Sequence, residues 1–175
     1  MFATQRLLLR PPRPEDLADI HAIFADDEAM TYWSRGPHAS LDETRAWIQP
    51  LLDDPAASPC DLFIEMEGRI VGKMGCWRIP EVVFILHRSA WGQGVAREGL
   101  LGLIDHMRGL GACDHLWADV DPRNSRSRKL LEACGFRRVG FARNTIQTHI
   151  GWCDSDYFRL DLGGPDTGRL PGRNG

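Results

Sequence analysis

Apolar residues recur along the chain with two spacings, one typical of β-strands and one typical of α-helices. Short apolar runs bounded by Gly, Pro or charged residues predict strands at residues 6–10, 62–64, 70–77, 82–86, 115–120, 136–143 and 156–162. Apolar residues three and four positions apart predict helices at residues 15–24, 40–48, 95–110 and 124–134. The pattern therefore predicts a mixed α/β chain, and it shows no internal repeat and no second domain.

The composition is that of one globular domain. The chain has 175 residues, of which 43% are hydrophobic and 26% charged. A chain of this length buries about 70% of the surface that it exposes when unfolded. We expect the folded domain over residues 1–162. A disordered tail is expected over residues 163–175, because this segment is rich in Gly, Pro and charge.

Charge and cysteine content argue against several classes of protein. The net charge is -3, so no general electrostatic attraction to nucleic acid is expected. The five cysteines form no CxxC pair and have no histidine at ligand spacing, which favours free thiols in a reducing cytoplasm. No apolar run approaches the roughly 20 residues of a membrane span, and the first residues lack a signal-peptide core. We therefore expect a cytoplasmic protein without metal, nucleic acid or membrane partners.

The segment Phe84–Glu98 carries the main chemical signal. A strand pattern ends in a Gly-x-Gly turn, at Gly92 and Gly94, and a helix pattern opens at Val95. Glycines let the backbone curl so that successive N–H groups converge, and a helix N-terminus adds unpaired donors and partial positive charge. The turn therefore predicts a phosphate site, although a Gly-x-Gly before a helix is by itself more often a plain turn.

Two nucleotide-binding interpretations fit this turn incompletely. A Walker loop needs the pattern GxxxxGK[ST], and no lysine follows these glycines. A dinucleotide-binding turn needs GxGxxG, and the third glycine position holds Arg97, which is too bulky for close packing of helix on strand. A nucleotide-binding protein is therefore kept only as an alternative.

Four stretches, in order along the chain, make the turn more specific. They are TQRLLLRPPRPEDL, FILHRSAWGQGVAREGL, DPRNSRSRKLLEACGFRRVG and GWCDSDYFRLDL. Together they resemble the GNAT superfamily of N-acetyltransferases, and within it the branch of the ribosomal-protein serine/alanine N-terminal acetyltransferases. The resemblance runs from about Thr4 to Leu162. It implies the α/β (α+β) GNAT fold: a single mixed sheet of six to seven strands, about four helices, and splayed central strands that hold acetyl-CoA.

The resemblance implies a pyrophosphate loop in this turn. The family pattern (Q/R)xxGx(G/A) matches Trp91–Ala96, where Trp91 replaces the usual Gln or Arg, as is common in this branch. The side chain of Gln93 is either a further donor or a solvated turn residue. The implied pyrophosphate ligands are the backbone amides of Gly92, Gln93, Gly94, Val95 and Ala96.

The strand before the loop is implied to bind the pantetheine arm through its backbone. One N–H of this strand would also polarise the thioester carbonyl. The His87 side chain as a general base is an open alternative to this backbone role. The implied residues are Phe84, Ile85, Leu86 and His87.

A second implied cofactor element is the NxxS pattern from Asn124 to Ser127. Asn124 would contact the pantetheine region, and it also suits a helix N-cap. Ser127 is either the proton donor to the leaving thiolate or an ordinary serine of the first helical turn. Arg128 lies where the helix dipole disfavours cations, so a CoA phosphate nearby would compensate, with a solvated basic face as the alternative. Glu98, in the first turn of its helix, is interpreted as a structural contact.

The implied reaction is direct attack of a neutral primary amine on the thioester within a ternary complex. The acceptor is a protein or peptide N-terminus or a small amine. In this fold the acceptor cleft lies between the loop that joins the first two helices and the hairpin of the last two strands. Candidate substrate residues there are Tyr32, Trp33, Trp152 and Asp154, with packing roles still open for both tryptophans.

The base that removes the amine proton is not assigned by sequence. Candidates are Glu65, Asp121, Asp154 and His149. A non-catalytic acyl-CoA-binding sensor or interaction domain on the same fold is the alternative to an enzyme. Both a monomer and a homodimer are compatible with the sequence.

Overall fold

The computed structural model describes residues 1–163, whose strands form one eight-stranded sheet. The strands are β1 (Phe2–Ala3), β2 (Leu8–Arg10), β3 (Asp61–Met66), β4 (Arg69–Arg78), β5 (Glu81–Leu86), β6 (His115–Val120), β7 (Arg137–Thr148) and β8 (Gly151–Asp161). The α-helices are α1 (Leu17–Phe24), α2 (Asp27–Met30), α3 (Leu41–Asp53), α4 (Val95–Leu110) and α5 (Ser125–Ala133), and short 3₁₀ turns cover Pro14–Asp16 and Arg88–Ala90. The tail expected to be disordered, residues 163–175, lies outside the described residues from residue 164 onward.

The expected GNAT fold, a single mixed sheet with helices, is confirmed, and the structure adds two short elements to the six to seven strands and about four helices expected. The strand β1 is two residues long and pairs with β2 through Phe2 and Leu9. The helix α2 is a single turn, capped by the Asp26 carboxylate, which accepts a hydrogen bond from the Ala29 N–H (2.9 Å). Neither element is long enough for an apolar period to show in the sequence.

The two central strands of the sheet diverge. The strand order is β1-β2-β3-β4-β5-β6-β8-β7, and among these described strands only β5 and β6 run parallel to each other. Within residues 1–163 their ladder consists of one residue pair, Glu81 and Trp117, beside which the Trp117 N–H donates to the Pro80 carbonyl (3.1 Å). Since both strands continue without further pairing, a gap opens toward their carboxyl ends. The splayed central strands expected from the sequence are therefore present.

Two apolar cores pack against the sheet beside this gap, one on each face. On one face, Leu103 and Met107 of α4 are buried against the strands, together with residues of α5. On the other face, Phe24 of α1 and Ile48 of α3 are buried with Phe63 of β3. Full burial of one such side chain contributes about 1.5–3 kcal/mol. Helices therefore pack on β5 from both faces, and β6 packs on the face covered by α4 and α5.

The last hairpin is longer than the sequence pattern indicates. The strands predicted at 136–143 and 156–162 continue in the structure to Thr148 and begin at Gly151. A bulge around Asn144, which has a φ of 48°, interrupts the pairing register. Because a bulge breaks the two-residue alternation of apolar and polar positions, the extension leaves no regular pattern in the sequence.

Candidate functional site

The Gly-x-Gly turn lies directly before α4, at the carboxyl end of β5. Gly92 and Gly94 have φ values of 73° and 76°, in the left-handed region that favours glycine. A Cβ on Gly92 would meet no atom within 4 Å, so conformation rather than crowding requires the glycine. The N–H groups of Val95 and Ala96, in the first turn of α4, have no acceptor within their own helix. The turn therefore has the geometry of an anion-binding site.

Side chains around the turn hold its shape. The Trp91 indole N–H donates to the Leu86 carbonyl (3.0 Å), which ties the turn to the end of β5. The Gln93 side-chain amide donates back to the Ser89 carbonyl, so the structure gives this amide a partner within the turn. The Arg6 guanidinium donates to the Gln93 carbonyl (3.1 Å) from the N-terminal segment.

Glu98 joins the N-terminal segment to α4. Its carboxylate accepts hydrogen bonds from the Thr4 hydroxyl (2.6 Å), the Arg6 N–H (2.8 Å) and the Arg6 guanidinium (2.7 Å). Burial alone would raise the pKa of Glu98, but these three donors outweigh it and hold the pKa below its usual range. Every one of these contacts is structural, in line with the interpretation of Glu98 from sequence.

The β5 segment that was expected to bind pantetheine has one paired edge and one open edge. On the β4 side, Phe84, Ile85 and Leu86 are in register with that strand, and the His87 N–H donates to the Val71 carbonyl (2.8 Å). On the other side lies the gap toward β6. Backbone groups on that edge are available to an extended chain entering the gap.

The His87 side chain has a local partner. Its Nδ1 lies 2.7 Å from the Ser89 hydroxyl and accepts a hydrogen bond from the Ser89 N–H (3.2 Å). The imidazole thus caps the short 3₁₀ turn that leads into the phosphate turn. This contact accounts for the residue without a role as base.

The second cofactor element lies at the start of α5, which follows β6 across the gap. Asn124 caps the helix, because its side-chain oxygen accepts a hydrogen bond from the Ser127 N–H (3.1 Å). The Arg128 guanidinium donates to the Pro122 carbonyl (3.2 Å) and lies 3.2 Å from a carboxylate oxygen of the buried Asp156. Arg138 pairs with the same carboxylate (2.5 Å), so Asp156 offsets only part of the positive charge of the two guanidinium groups.

A third group of residues forms a recess of about 140 Å³ at the carboxyl end of β6. The lining residues are Asp121, Pro122, Arg123, Trp152 and Asp154. The Tyr32 hydroxyl donates to the Arg123 carbonyl (3.4 Å) at its border. A Cβ on Gly36 would lie 3.5 Å from the His149 ring, so the loop after α2 also meets the turn of the β7–β8 hairpin. The two elements expected to build the acceptor cleft therefore contact each other.

Three of the four candidate substrate residues lie at this recess. Trp152 and Asp154 line it, and Tyr32 borders it. Trp33 instead packs edge-on against Phe24, with ring centroids 5.6 Å apart, in the core beneath α1 and α3. The packing interpretation that was open for Trp33 is the one that the structure supports.

The candidate bases differ in their surroundings. Glu65 is ion-paired with Arg10 (2.6 Å), which also binds the buried Asp16, so this group is a structural network away from the recess. Asp121 is bound by Arg123 through two guanidinium nitrogens. Burial would raise the pKa of Asp121, but the hydrogen bonds from Arg123 outweigh it and lower the pKa. His149 is exposed at the hairpin turn.

Sequence reasoning missed two carboxylates at the base of the gap, Glu81 of β5 and Asp119 of β6. Burial raises the pKa of Glu81, and the charge of Asp119 raises it further. Partial desolvation on the sheet raises the pKa of Asp119, although the residue still reaches solvent, and the charge of Asp121 raises it further. The available signal was an acidic residue inside each apolar strand pattern, next to Val82 and between Ala118 and Val120.

Comparison with known families agrees with this geometry. The model of the acetyltransferase (GNAT) domain matches residues 6–137, which is more than half of the chain. The chain belongs to the GNAT acetyltransferase family. Family membership makes it an acyltransferase that moves an acetyl group from acetyl-CoA, so the nucleotide-binding and sensor alternatives are given up.

Similar proteins support the same family and fold. The N-acetyltransferase p20 of Bacillus licheniformis is 27% identical over 150 residues, which cover 81% of this chain and 84% of that protein. Spermidine N-acetyltransferase of Vibrio cholerae, solved with CoA and spermine, superposes with a TM-score of 0.75 at 20% identity, over 90% of this chain and 96% of that chain. Ribosomal-protein-S5-alanine acetyltransferase of Vibrio fischeri superposes with a TM-score of 0.75 at 21% identity, over 97% and 98%.

The residues present fit acetyl-CoA as the GNAT co-substrate. The turn at Gly92 and Gly94 offers an open anion site, and the gap between β5 and β6 leads from it toward the recess. In residues 1–163, no group of three or more His, Cys, Asp or Glu side chains is placed to hold a metal ion. None of the helices in that range has the length and apolar composition that crossing a bilayer requires.

Proposed function

We propose that the GNAT chain acetylates a primary amine, either a protein or peptide N-terminus or a small amine, by direct attack within a ternary complex. The observation that carries this proposal is the position of the recess. Asp121, Trp152 and Asp154 gather at the carboxyl end of β6, on the border of the gap between the splayed strands. Carboxylates and an exposed indole are groups that attract an alkylammonium.

The cofactor half of the site uses backbone groups. The amides of Gly92, Gln93, Gly94, Val95 and Ala96 hold the pyrophosphate, and the open edge of Phe84, Ile85, Leu86 and His87 pairs with the pantetheine arm. One N–H of that edge polarises the thioester carbonyl. Asn124 borders the arm from α5 while it caps the helix. Arg128, paired with Asp156, anchors α5 and contributes positive potential near the phosphates.

The chemistry moves one acetyl group and one proton. The amine nitrogen forms the new C–N bond, the C–S bond breaks, and the sulfur leaves as a thiolate to which the Ser127 hydroxyl donates a hydrogen bond. A bound alkylammonium first releases one proton to solvent to give the neutral amine, and as the C–N bond forms the nitrogen loses its second proton to a base. We assign this role to Asp119, which lies on β6 beside the gap, two residues before Asp121 of the recess. Its pKa is raised, which suits a base near neutral pH, whereas Asp121 is bound by Arg123 and its pKa is lowered.

The acceptor is proposed to be a free N-terminal amine, as in the ribosomal-protein branch. The nearly complete superposition on the S5-alanine enzyme supports this choice, and the spermidine enzyme shows that the same fold also serves a small amine. A cytoplasmic location and a monomeric or homodimeric state stay predictions.

The test is thiol release from acetyl-CoA over a panel of amines. The panel contains peptides with free and with blocked N-termini, alkyl monoamines and polyamines, and the acetylated product is identified by mass. We expect thiol release that depends on a free primary amine. If acetyl-CoA binds by calorimetry but no amine of the panel releases thiol, the proposed acceptor class is wrong.

A further inference from the structure

The charged side chains that line the recess at the end of β6 are more often acidic than basic. Its lining contains two carboxylates, Asp121 and Asp154, and one guanidinium, that of Arg123. If all three are ionised, the lining carries one net negative charge. The arrangement of Arg123 decides whether both carboxylates are available to a cationic acceptor.

Arg123 is bound to Asp121 at several points. Its Nε lies 2.9 Å and 3.2 Å from the two carboxylate oxygens of Asp121, and an Nη lies 2.5 Å from one of them. The Arg123 N–H also donates to the Asp121 carboxylate (2.8 Å). This pairing is a two-pronged contact of the kind that is stronger and more directional than a single ion pair. The Asp121 side chain is 6% exposed, so little of its carboxylate is accessible to a further cation.

The surroundings fix Arg123 in this position. An Nη donates to the Cys153 sulfur (3.1 Å), and the backbone carbonyl accepts from the Tyr32 hydroxyl (3.4 Å). The Asn124 N–H donates to the Asp121 carbonyl (2.8 Å), which closes a turn with Pro122 at its second position. Arg123 is thus part of the wall of the recess, although half of its side chain faces solvent.

Asp154 has no such counter-ion in the described part of the chain. One of its carboxylate oxygens accepts a hydrogen bond from the Asn144 N–H (2.9 Å), and no cationic side chain within residues 1–163 is ion-paired with it. Trp152 forms an exposed apolar wall beside it. The recess therefore offers one unpaired carboxylate next to one aromatic face.

We propose that Arg123 is a specificity-determining residue that limits the acceptor to a single cationic centre at this recess. Because Arg123 neutralises Asp121, an acceptor with one ammonium group has one carboxylate available to bind it, that of Asp154. The second ammonium of a diamine finds the Arg123 guanidinium, which repels it. The inference rests on the proposed function, because it names the charge class of the amine that the same site takes.

The experiment compares an alkyl monoamine with the diamine of equal chain length. Thiol release from acetyl-CoA gives kcat/KM for both amines with the wild type, with Arg123→Gln, and with Arg137→Gln as a matched control. Arg137 is 80% exposed on β7, where it pairs with Asp161, so its substitution removes one positive charge outside the recess. We expect Arg123→Gln to raise the diamine-to-monoamine ratio of kcat/KM by about tenfold, which corresponds to about 1.4 kcal/mol. Arg137→Gln should leave the ratio unchanged.

The outcomes separate this inference from the proposed function. A ratio that is the same in wild type and Arg123→Gln overturns the role of Arg123 and leaves amine acetylation intact. If the wild type releases thiol with no amine, the proposed function fails, and calorimetric titration of the diamine then decides the inference, since equal affinity for both proteins would refute it. Arg123→Met replaces Arg123→Gln if the latter does not fold, and it should raise the ratio in the same way, with an unchanged ratio again refuting the role. Arg123→Lys keeps the charge and should keep the wild-type ratio.

Discussion

The guanidinium of Arg126 lies over the indole ring of Trp91, 4.5 Å from its centroid. Trp91 belongs to the phosphate turn after β5, and Arg126 belongs to α5, which follows β6. The contact therefore connects the segments that follow β5 and β6, the two strands that diverge after the Glu81–Trp117 pair. Arg126 also pairs with Glu28 of α2 (3.1 Å), so the same guanidinium contacts the helix that precedes the loop of Tyr32.

This contact predicts the effect of changing Trp91. The Trp91→Phe variant keeps an aromatic face for Arg126 but loses the hydrogen bond to the Leu86 carbonyl, so we expect a loss of about 1 kcal/mol in the free energy of unfolding. The Trp91→Ala variant loses ring and hydrogen bond together and should be destabilised more. Denaturant unfolding measures both. Equal stability of wild type and Trp91→Ala would show that the contact of the ring with Arg126 does not stabilise the fold.

The Gly-x-Gly turn predicts that the two glycines that flank α4 differ in their effect on acetyl-CoA binding. Gly94 precedes the helix with a φ of 76°, and Gly111 follows it with a φ of 61°. An alanine at either position has to adopt a left-handed backbone, which costs about 1 kcal/mol. We expect Gly94→Ala and Gly111→Ala to lose similar stability, while only Gly94→Ala weakens acetyl-CoA binding. The bulkier Gly94→Trp should abolish binding, as calorimetry would show, and unchanged affinity would refute this placement of the pyrophosphate.

Ser127 allows a test of the leaving-group role without damage to the helix cap. The cap uses the backbone N–H of Ser127, so Ser127→Ala keeps it. We expect Ser127→Ala to lower kcat with little change in the affinity for acetyl-CoA, and Ser125→Ala, in the same first turn, to change neither. Steady-state kinetics combined with calorimetry separates the two quantities. An unaltered kcat would remove Ser127 from the mechanism.

Glu98 predicts a pH dependence of stability. Its pKa is lower in the folded than in the unfolded protein, so its ionised form stabilises the fold above the unfolded pKa of about 4.3. That contribution is lost as the pH falls through the lower, folded pKa. Glu98→Gln should therefore cost about 1–2 kcal/mol at pH 7 and progressively less in acid. Glu132→Gln, on an exposed position of α5, is the control; a constant difference across pH would contradict the assignment.

Sequence reasoning predicted the long elements and the Gly-x-Gly turn before α4, because each has a regular period or a distinctive glycine pattern. It could not find β1 and α2, which are too short to have a period, or the full length of the last hairpin, whose bulge at Asn144 breaks the alternation. The two neighbouring aromatics Tyr32 and Trp33 look equivalent in sequence. Their backbone positions send one to the recess and the other to the core.

The acid–base groups were the least predictable part of the site. Asp119 and Asp121 are two residues apart on the same strand pattern, yet their pKa values shift in opposite directions, because Arg123 binds one and burial dominates the other. That difference depends on tertiary contacts with β8 and with the turn after β6. The Asp-Pro-Arg sequence places Arg123 close to Asp121, but nothing in the sequence indicates the contacts with β8.

The central claim is that an amine reaches the thioester through the recess bordered by Asp154. The most direct measurement is the coupled assay of thiol release and product mass with acetyl-CoA and a peptide bearing a free N-terminal amine, for the wild type and Asp154→Asn. We expect one acetylated N-terminus per thiol released, and an increase in KM for the peptide in Asp154→Asn with unchanged affinity for acetyl-CoA. Thiol release that is identical in the two proteins, or that needs no free amine, would contradict it.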